Sequence, residues 1–312
     1  MAAYVVTGGA GFIGSNIVAR LVSDGEDVRV VDDFSTGRPE NLAEFTGRIE
    51  LLEGSICDGG LLARAFDGAD YVLHQAALAS VQRSVENPLA SNEANVEGTV
   101  KVLTAARDAG VKRVVYASSS SVYGDTPELP KREDMKTDPL SPYAVSKLAG
   151  EHYCCVFDDL FEIETVSLRC LSVFGPRQGP ESQYAAVIPI FVQRLLAGET
   201  PQVFGDGEQS RDFTYVENAV EANLLAATAE GAGGAVCNVG CGRRYTLNEL
   251  LDSLRGLIAS NVGAEYLEER PGDVRHSLAD IEEARERLGY EPLVDFEEGL
   301  RRTVEWYRAR SR

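Results

Sequence analysis

The chain reads as an α/β protein: a doubly wound parallel sheet with a smaller α/β carboxyl-terminal substrate domain. Two observations predict this. Short apolar runs alternate with helical periods over the first half, and a glycine-rich turn joins the first run to the first helix. With 312 residues the chain can bury a large core.

The elements follow in order. Tyr4-Val5-Val6 is a short buried strand, and Thr7 to Gly14 follows it with glycines at 8, 11 and 14. That spacing supplies a tight turn, close backbone approach to a pyrophosphate and close packing of the next helix, whose amino terminus would meet the phosphates. A second strand at 27–31 ends at Asp32, eighteen residues after Gly14, where a carboxylate can accept from ribose hydroxyls. A carboxylate there repels a 2′-phosphate, so NAD is expected over NADP; Arg38, six residues on, weakens that preference. Further strands fall at 49–53, 71–75, 113–117 and 163–168, with helices at 92–109 and 142–158. Functional groups should gather beyond the carboxyl ends of these strands, where Ala76 to Ser80 and the run Ser118 to Ser121 stand. From about Pro176 onward, glycine turns, helices and acidic faces suggest a cap that contributes substrate contacts.

Tyr143 and Lys147 share a helix face at i and i+4. A phenol of pKa near ~10 is a weak base until a neighbouring positive charge favours its phenolate. The pair can therefore move a hydroxyl proton.

Composition excludes several classes. The net charge of −19 opposes a nucleic-acid partner. No run of 18 or more apolar residues suits a membrane span, and the first residues enter a strand without a leader, so a cytoplasmic location is expected. Cysteines 57, 154, 155, 170, 237 and 241 form no C-x-x-C pair, and with three histidines no metal cluster is expected; the cysteines read as reduced core or helix residues. Only five of the 30 basic residues are lysine, against 49 acids. Such a surface suits a salt-rich cytoplasm as a hypothesis, and GC-rich codon usage with an ordinary acidic surface explains it equally. Activity and stability unchanged between dilute and molar KCl would remove support for salt adaptation.

With the three glycines, Asp32, the serines before Val122-Tyr123-Gly124, and Tyr143-x-x-x-Lys147 in order, the chain resembles the extended short-chain dehydrogenase/reductase superfamily, which implies a Rossmann-type sheet. Segments 203–213 and 270–277 resemble the nucleotide-sugar 4-epimerases within it. The resemblance implies domains at 1–171 plus about 213–245 for NAD, and about 172–212 plus 246–312 for the nucleotide sugar. It implies catalytic roles for Ser119, Tyr143 and Lys147. Cofactor contacts are implied from Gly8, Gly11, Phe12, Ile13, Gly14, Asp32, Asp33, Ser35, Ser55, Ile56, Ala76, Ala77, Tyr143 and Lys147. On the substrate side it implies Ala79, Ser80, Ser119, Ser120, Tyr143, Ser172, Gln178, Val187, Arg211, Arg270, Asp273 and Ser277. Arg211 and Arg270 would clamp a diphosphate with guanidinium forks. Ser277, together with Ala79, Ser80, Gln178 and Tyr184 to Val187, resembles the subgroup that tolerates an N-acetyl group.

The implied activity is C4 epimerisation of UDP-hexoses through a 4-keto sugar with retained NAD. The 4,6-dehydratases carry an Asp-Glu pair where Ser120 and Ser121 stand here. A UDP-glucuronate 4-epimerase or decarboxylase would need a pocket for the C6 carboxylate, with Arg83, Arg177 and Arg275 as candidates. A plain reductase would consume external NAD(P)H, and a dinucleotide-binding module would turn nothing over. Three departures from the epimerase pattern bear on substrate and cofactor: Cys170 for a tyrosine, Ser172 for an asparagine, and Ser55 followed by Ile56 at the adenine side. A homodimer is implied through helices at roughly 86–109 and 142–160, where Ala149, Tyr153 and Val156 recur at helical spacing.

Overall fold

The structure, a computed structural model, describes residues 1–179, 187–269 and 274–310. Seven parallel strands form the central sheet: β1 (Ala3–Thr7), β2 (Asp27–Asp32), β3 (Glu50–Glu53), β4 (Tyr71–His74), β5 (Arg113–Ser119), β6 (Glu164–Cys170) and β7 (Val236–Val239). Their order is β7-β6-β5-β4-β1-β2-β3, so the chain reverses its winding between β1 and β4. A crevice opens at such a switch point, beyond the carboxyl ends of the strands. The six strands expected from sequence are present; β7, a four-residue run, was not among them.

Alternation along the strands splits the core in two. Val5, Val31, Val72 and Val114 pack on one face with Leu62, Phe66, Val102 and Leu103. Val6, Val30, Leu73 and Val115 pack on the other with Ile17, Leu21 and Val216. This second core continues into the carboxyl-terminal lobe through Phe174, Phe213, Phe296 and Leu300. That lobe holds helices Val187–Leu196, Leu247–Ile258 and Phe296–Arg310. The second of these starts from a reciprocal cap between Thr246 and Glu249.

The helix expected at 92–109 is interrupted. Glu93–Glu97 forms a π turn between Pro88–Asn92 and Gly98–Asp108. The Thr99 hydroxyl donates to the Asn95 carbonyl at 2.6 Å within this stretch. The other expected helix runs Pro142–Phe161, with Ser141 capping its Ala144 amide and Pro142 at the first position, where its missing N–H costs nothing.

Among the described residues, no helix is long and apolar enough to cross a membrane and no group of acids, cysteines and histidines is placed to hold a metal ion. All six cysteines are free thiols.

Candidate active site

A cavity of about 410 Å³ lies at the switch point. Its floor is the glycine turn. Gly8 has φ +69, and a Cβ there would stand 2.6 Å from the Ala76 nitrogen; one at Gly14 would stand 2.1 Å from the Gly8 oxygen. Glycine is therefore required by both backbone conformation and close approach. The Phe12–Ser23 helix starts at Gly11 with no side-chain cap, leaving its first-turn N–H groups for an anion.

Asp32, at the end of β2, accepts from the Ala10 amide at 2.8 Å and the Phe34 amide at 2.9 Å. Burial raises its pKa, and these two amides oppose the rise. Beside it Asp33 accepts from the Ser35 amide and hydroxyl at 2.9 and 2.6 Å.

The expected proton-transfer groups meet where the end of β5 faces the Pro142–Phe161 helix. Ser118 and Ser119 face opposite ways, as strand neighbours must. Ser118 donates to Glu151 at 2.8 Å, inside a buried network in which Glu151 also pairs with Arg169, at 2.5 Å. The Ser119 hydroxyl accepts from the Ser121 hydroxyl at 2.9 Å, and its influence on the Tyr143 phenol is to lower that group's pKa. Lys147 is buried, donates to the Ala117 carbonyl at 2.7 Å and sits 6.0 Å from the centre of the Tyr143 ring. Burial pulls the Lys147 ammonium down to about 8. Burial pushes the Tyr143 phenol up, the Ser119 hydrogen bond pulls it down, and the nearby Cys170 thiol pushes it up again.

The family profile described as "NAD dependent epimerase/dehydratase family" matches residues 4–240. A UDP-glucose 4-epimerase of Mycolicibacterium smegmatis is 42% identical, over 98% of this chain and 99% of that protein. The chain belongs to the NAD dependent epimerase/dehydratase family. Among solved structures, a UDP-N-acetylglucosamine 4-epimerase from Methanobrevibacter ruminantium in complex with UDP-N-acetylmuramic acid superposes with a TM-score of 0.95 at 41% identity, over 99% of each chain. The UDP-glucose 4-epimerase of Thermus thermophilus in complex with NAD does so with 0.89 at 36% identity, over 98% of this chain and 99% of that one. NAD is the cofactor of this family member. The chain's uncapped helix start, its glycine turn and the Asp32 carboxylate fit it.

All the expected cofactor residues of this epimerase/dehydratase line the cavity: Gly8, Gly11, Phe12, Ile13, Gly14, Asp32, Asp33, Ser35, Ser55, Ile56, Ala76, Ala77, Tyr143 and Lys147. Of the substrate-side residues, Ala79, Ser119 and Tyr143 line it too, as does Cys170. The other described ones lie outside that lining. Ser80 caps the Val81–Glu86 helix through the Arg83 amide, and Ser120 opens the turn Ser120–Tyr123. Ser172 has φ +35, a left-handed conformation that asparagine tolerates better than serine. Gln178 donates to the Val173 carbonyl at 3.1 Å. Val187 begins its helix. Arg211 donates to the carbonyls of Ser210 and Arg275 at 2.9 and 3.1 Å. The oxygens Gln178 Oε1 and Ser277 Oγ are buried without a partner among the described residues. Arg270 and Asp273, and Tyr184 to Ala186, fall outside the described residues.

Asn95 was missed by sequence reading. It accepts from the Leu78 amide at 2.8 Å and donates to Ser146 Oγ at 3.0 Å, tying the cavity wall to the Tyr143 helix. It shares its helix face with Ser91, Asn92 and Thr99, so polarity alone did not single it out in the sequence.

Proposed function

We propose that the protein interconverts UDP-hexoses epimeric at C4, UDP-glucose with UDP-galactose and UDP-N-acetylglucosamine with UDP-N-acetylgalactosamine, through a transient 4-keto sugar. The observation that carries this is one cavity shared by the glycine turn, Asp32 and the Ser119–Tyr143–Lys147 group. Bound NAD supplies the hydride acceptor and donor at C4. Tyr143 takes and returns the C4 hydroxyl proton, Ser119 holds the same oxygen, and Lys147 favours the phenolate by its charge. The unpartnered oxygens of Gln178 and Ser277 are suited to the sugar and its C2 substituent.

The UDP-glucuronate reading has less support. A UDP-glucuronate 4-epimerase of Thermodesulfobacterium geofontis is 33% identical. Arg177 and Arg275, however, are held in ion pairs by Glu44 and by Asp206 with Glu269, and Arg83 is exposed.

The two-domain division at about 172, with 213–245 returning to the NAD domain, is supported by β7 pairing with β6 in the central sheet. A cytoplasmic homodimer is the expected state. Val81, Val85, Leu89, Val145, Tyr153, Val156 and Leu160 leave 41–81% of their surface exposed on adjoining helices, an apolar face that a second copy would cover. The reaction is tested with UDP-galactose carrying deuterium at C4: label retained at C4 of the glucose epimer supports it, and label lost to solvent rejects it.

A further inference from the structure

We propose that Ser84 is a positioning residue for Tyr143, holding the first turn of the catalytic helix from a separate element. The inference rests on the epimerase reading for Tyr143's role, though its geometry does not.

The Val81–Glu86 helix buries one residue completely, and that residue is the serine; Val81 and Val85 are 49% and 64% exposed. This inverts the usual sorting of side chains, so the hydroxyl must be the reason for the burial. Ser84 Oγ donates to the Val81 carbonyl at 2.5 Å and accepts from the Tyr143 amide at 3.0 Å, across 59 residues of sequence.

Within the helix's first turn the backbone donors are satisfied only with Ser84. The first N–H groups of a helix have no intrahelical partner. Pro142 has no N–H, Ser141 Oγ takes the Ala144 amide, and the regular ladder begins with the Val145 amide on the Ser141 carbonyl. The Tyr143 amide is the first-turn donor left over, and Ser84 satisfies it. The helix that carries Ser84 begins directly after the cavity-lining Leu78 and Ala79. One hydrogen bond thus ties the substrate wall to the backbone of the tyrosine. A side chain displaced by about an ångström loses much of its catalytic advantage.

The test compares Ser84→Ala, Ser84→Thr and Ser91→Ala, a matched buried serine on the neighbouring Pro88–Asn92 helix. Steady-state kinetics and the ultraviolet titration of Tyr143, identified by difference from Tyr143→Phe, are read on each. Ser84→Ala is expected to lower kcat by about tenfold or more with KM and bound nucleotide unchanged. It should also move the Tyr143 titration upward, because the Ser119 hydrogen bond that lowers it lengthens. Ser84→Thr should recover both, and Ser91→Ala should match wild type. Wild-type kcat and titration in Ser84→Ala, or equal losses in both alanine variants, overturn the proposal. Should Ser84→Ala not fold, Ser84→Thr decides: a wild-type titration supports the role, and a displaced one despite the retained hydroxyl rejects it. If wild type converts no UDP-sugar, the epimerase reading fails, while the Tyr143 titration in the Ser84 variants still decides positioning.

Discussion

Lys147 reaches under Tyr143 to the Ala117 carbonyl, its nitrogen 2.7 Å from that oxygen and 6.0 Å from the phenol ring centre. Among the described residues no carboxylate pairs with it; its proposed task is to favour the Tyr143 phenolate by its charge. Burial holds its pKa at about 8, below the usual lysine value of 10.5. The ammonium is therefore present at neutral pH and lost above about pH 8. The rate should fall on that alkaline limb, and Lys147→Arg should move the limb upward while lowering kcat. A kcat profile flat to pH 10 in wild type would remove Lys147's charge from the account. Tyr143→Phe should lose at least about a hundredfold in kcat while keeping its nucleotide.

Ser118 and Ser119 are neighbours with separate tasks. Ser119→Ala should cut kcat by about a hundredfold with the melting temperature unchanged. Ser118→Ala leaves the buried Glu151 with one hydrogen bond fewer and should cost about 1–3 kcal/mol of stability, read by denaturant unfolding. Reversal of these two outcomes would place Ser118, not Ser119, at the reacting oxygen.

How much of this was legible beforehand depended on the kind of constraint. The glycine turn and Asp32 announce themselves because a pyrophosphate and a ribose demand fixed residue types at fixed spacing. Ser119 was selected from four serines by resemblance, and the alternation of β5 now supplies the physical reason. Ser84 and Asn95 carried no such mark: each acts by a hydrogen bond to an element distant in sequence, and a serine or asparagine on a helix looks like surface. β7 was missed because four residues after a glycine-rich turn, one of them the polar Asn238, carry too little period. The π turn was missed because a single extra residue in a helical turn barely changes the apolar repeat. Arg38 was read as a rival to Asp32, and it does not line the cavity.

His74 predicts an acid-stability effect. Its ring bridges Thr7 and Thr99 at 2.7 and 3.0 Å, and since the Thr99 proton goes to the Asn95 carbonyl, Nε2 donates to Thr99 and Nδ1 accepts from Thr7. Burial, with Lys147 nearby, lowers its pKa from 6.5 to about 3. The unfolded chain then binds the proton and the folded chain does not, so stability is full above pH 6.5 and declines as pH falls toward 3. His74→Gln should remove that part of the slope in unfolding measured across this window. An unchanged slope would show that His74 protonates in the folded state.

Ser277 is proposed to set the room beside the sugar C2 substituent. Its hydroxyl oxygen is buried without a partner among the described residues. Ser277→Tyr should reduce activity on the N-acetylated pair by about tenfold more than on UDP-galactose, as filling a pocket discriminates by about 1–3 kcal/mol. Equal losses on both substrates would place Ser277 away from the C2 substituent.

The most direct test is incubation of purified protein, without added NAD, with UDP-N-acetylglucosamine and separately with UDP-galactose, resolving the epimers by chromatography. Interconversion of both pairs with no net change in reduced cofactor is the predicted result. No conversion of either, even with NAD supplied, would contradict the account and turn attention to Cys170 and Ser172.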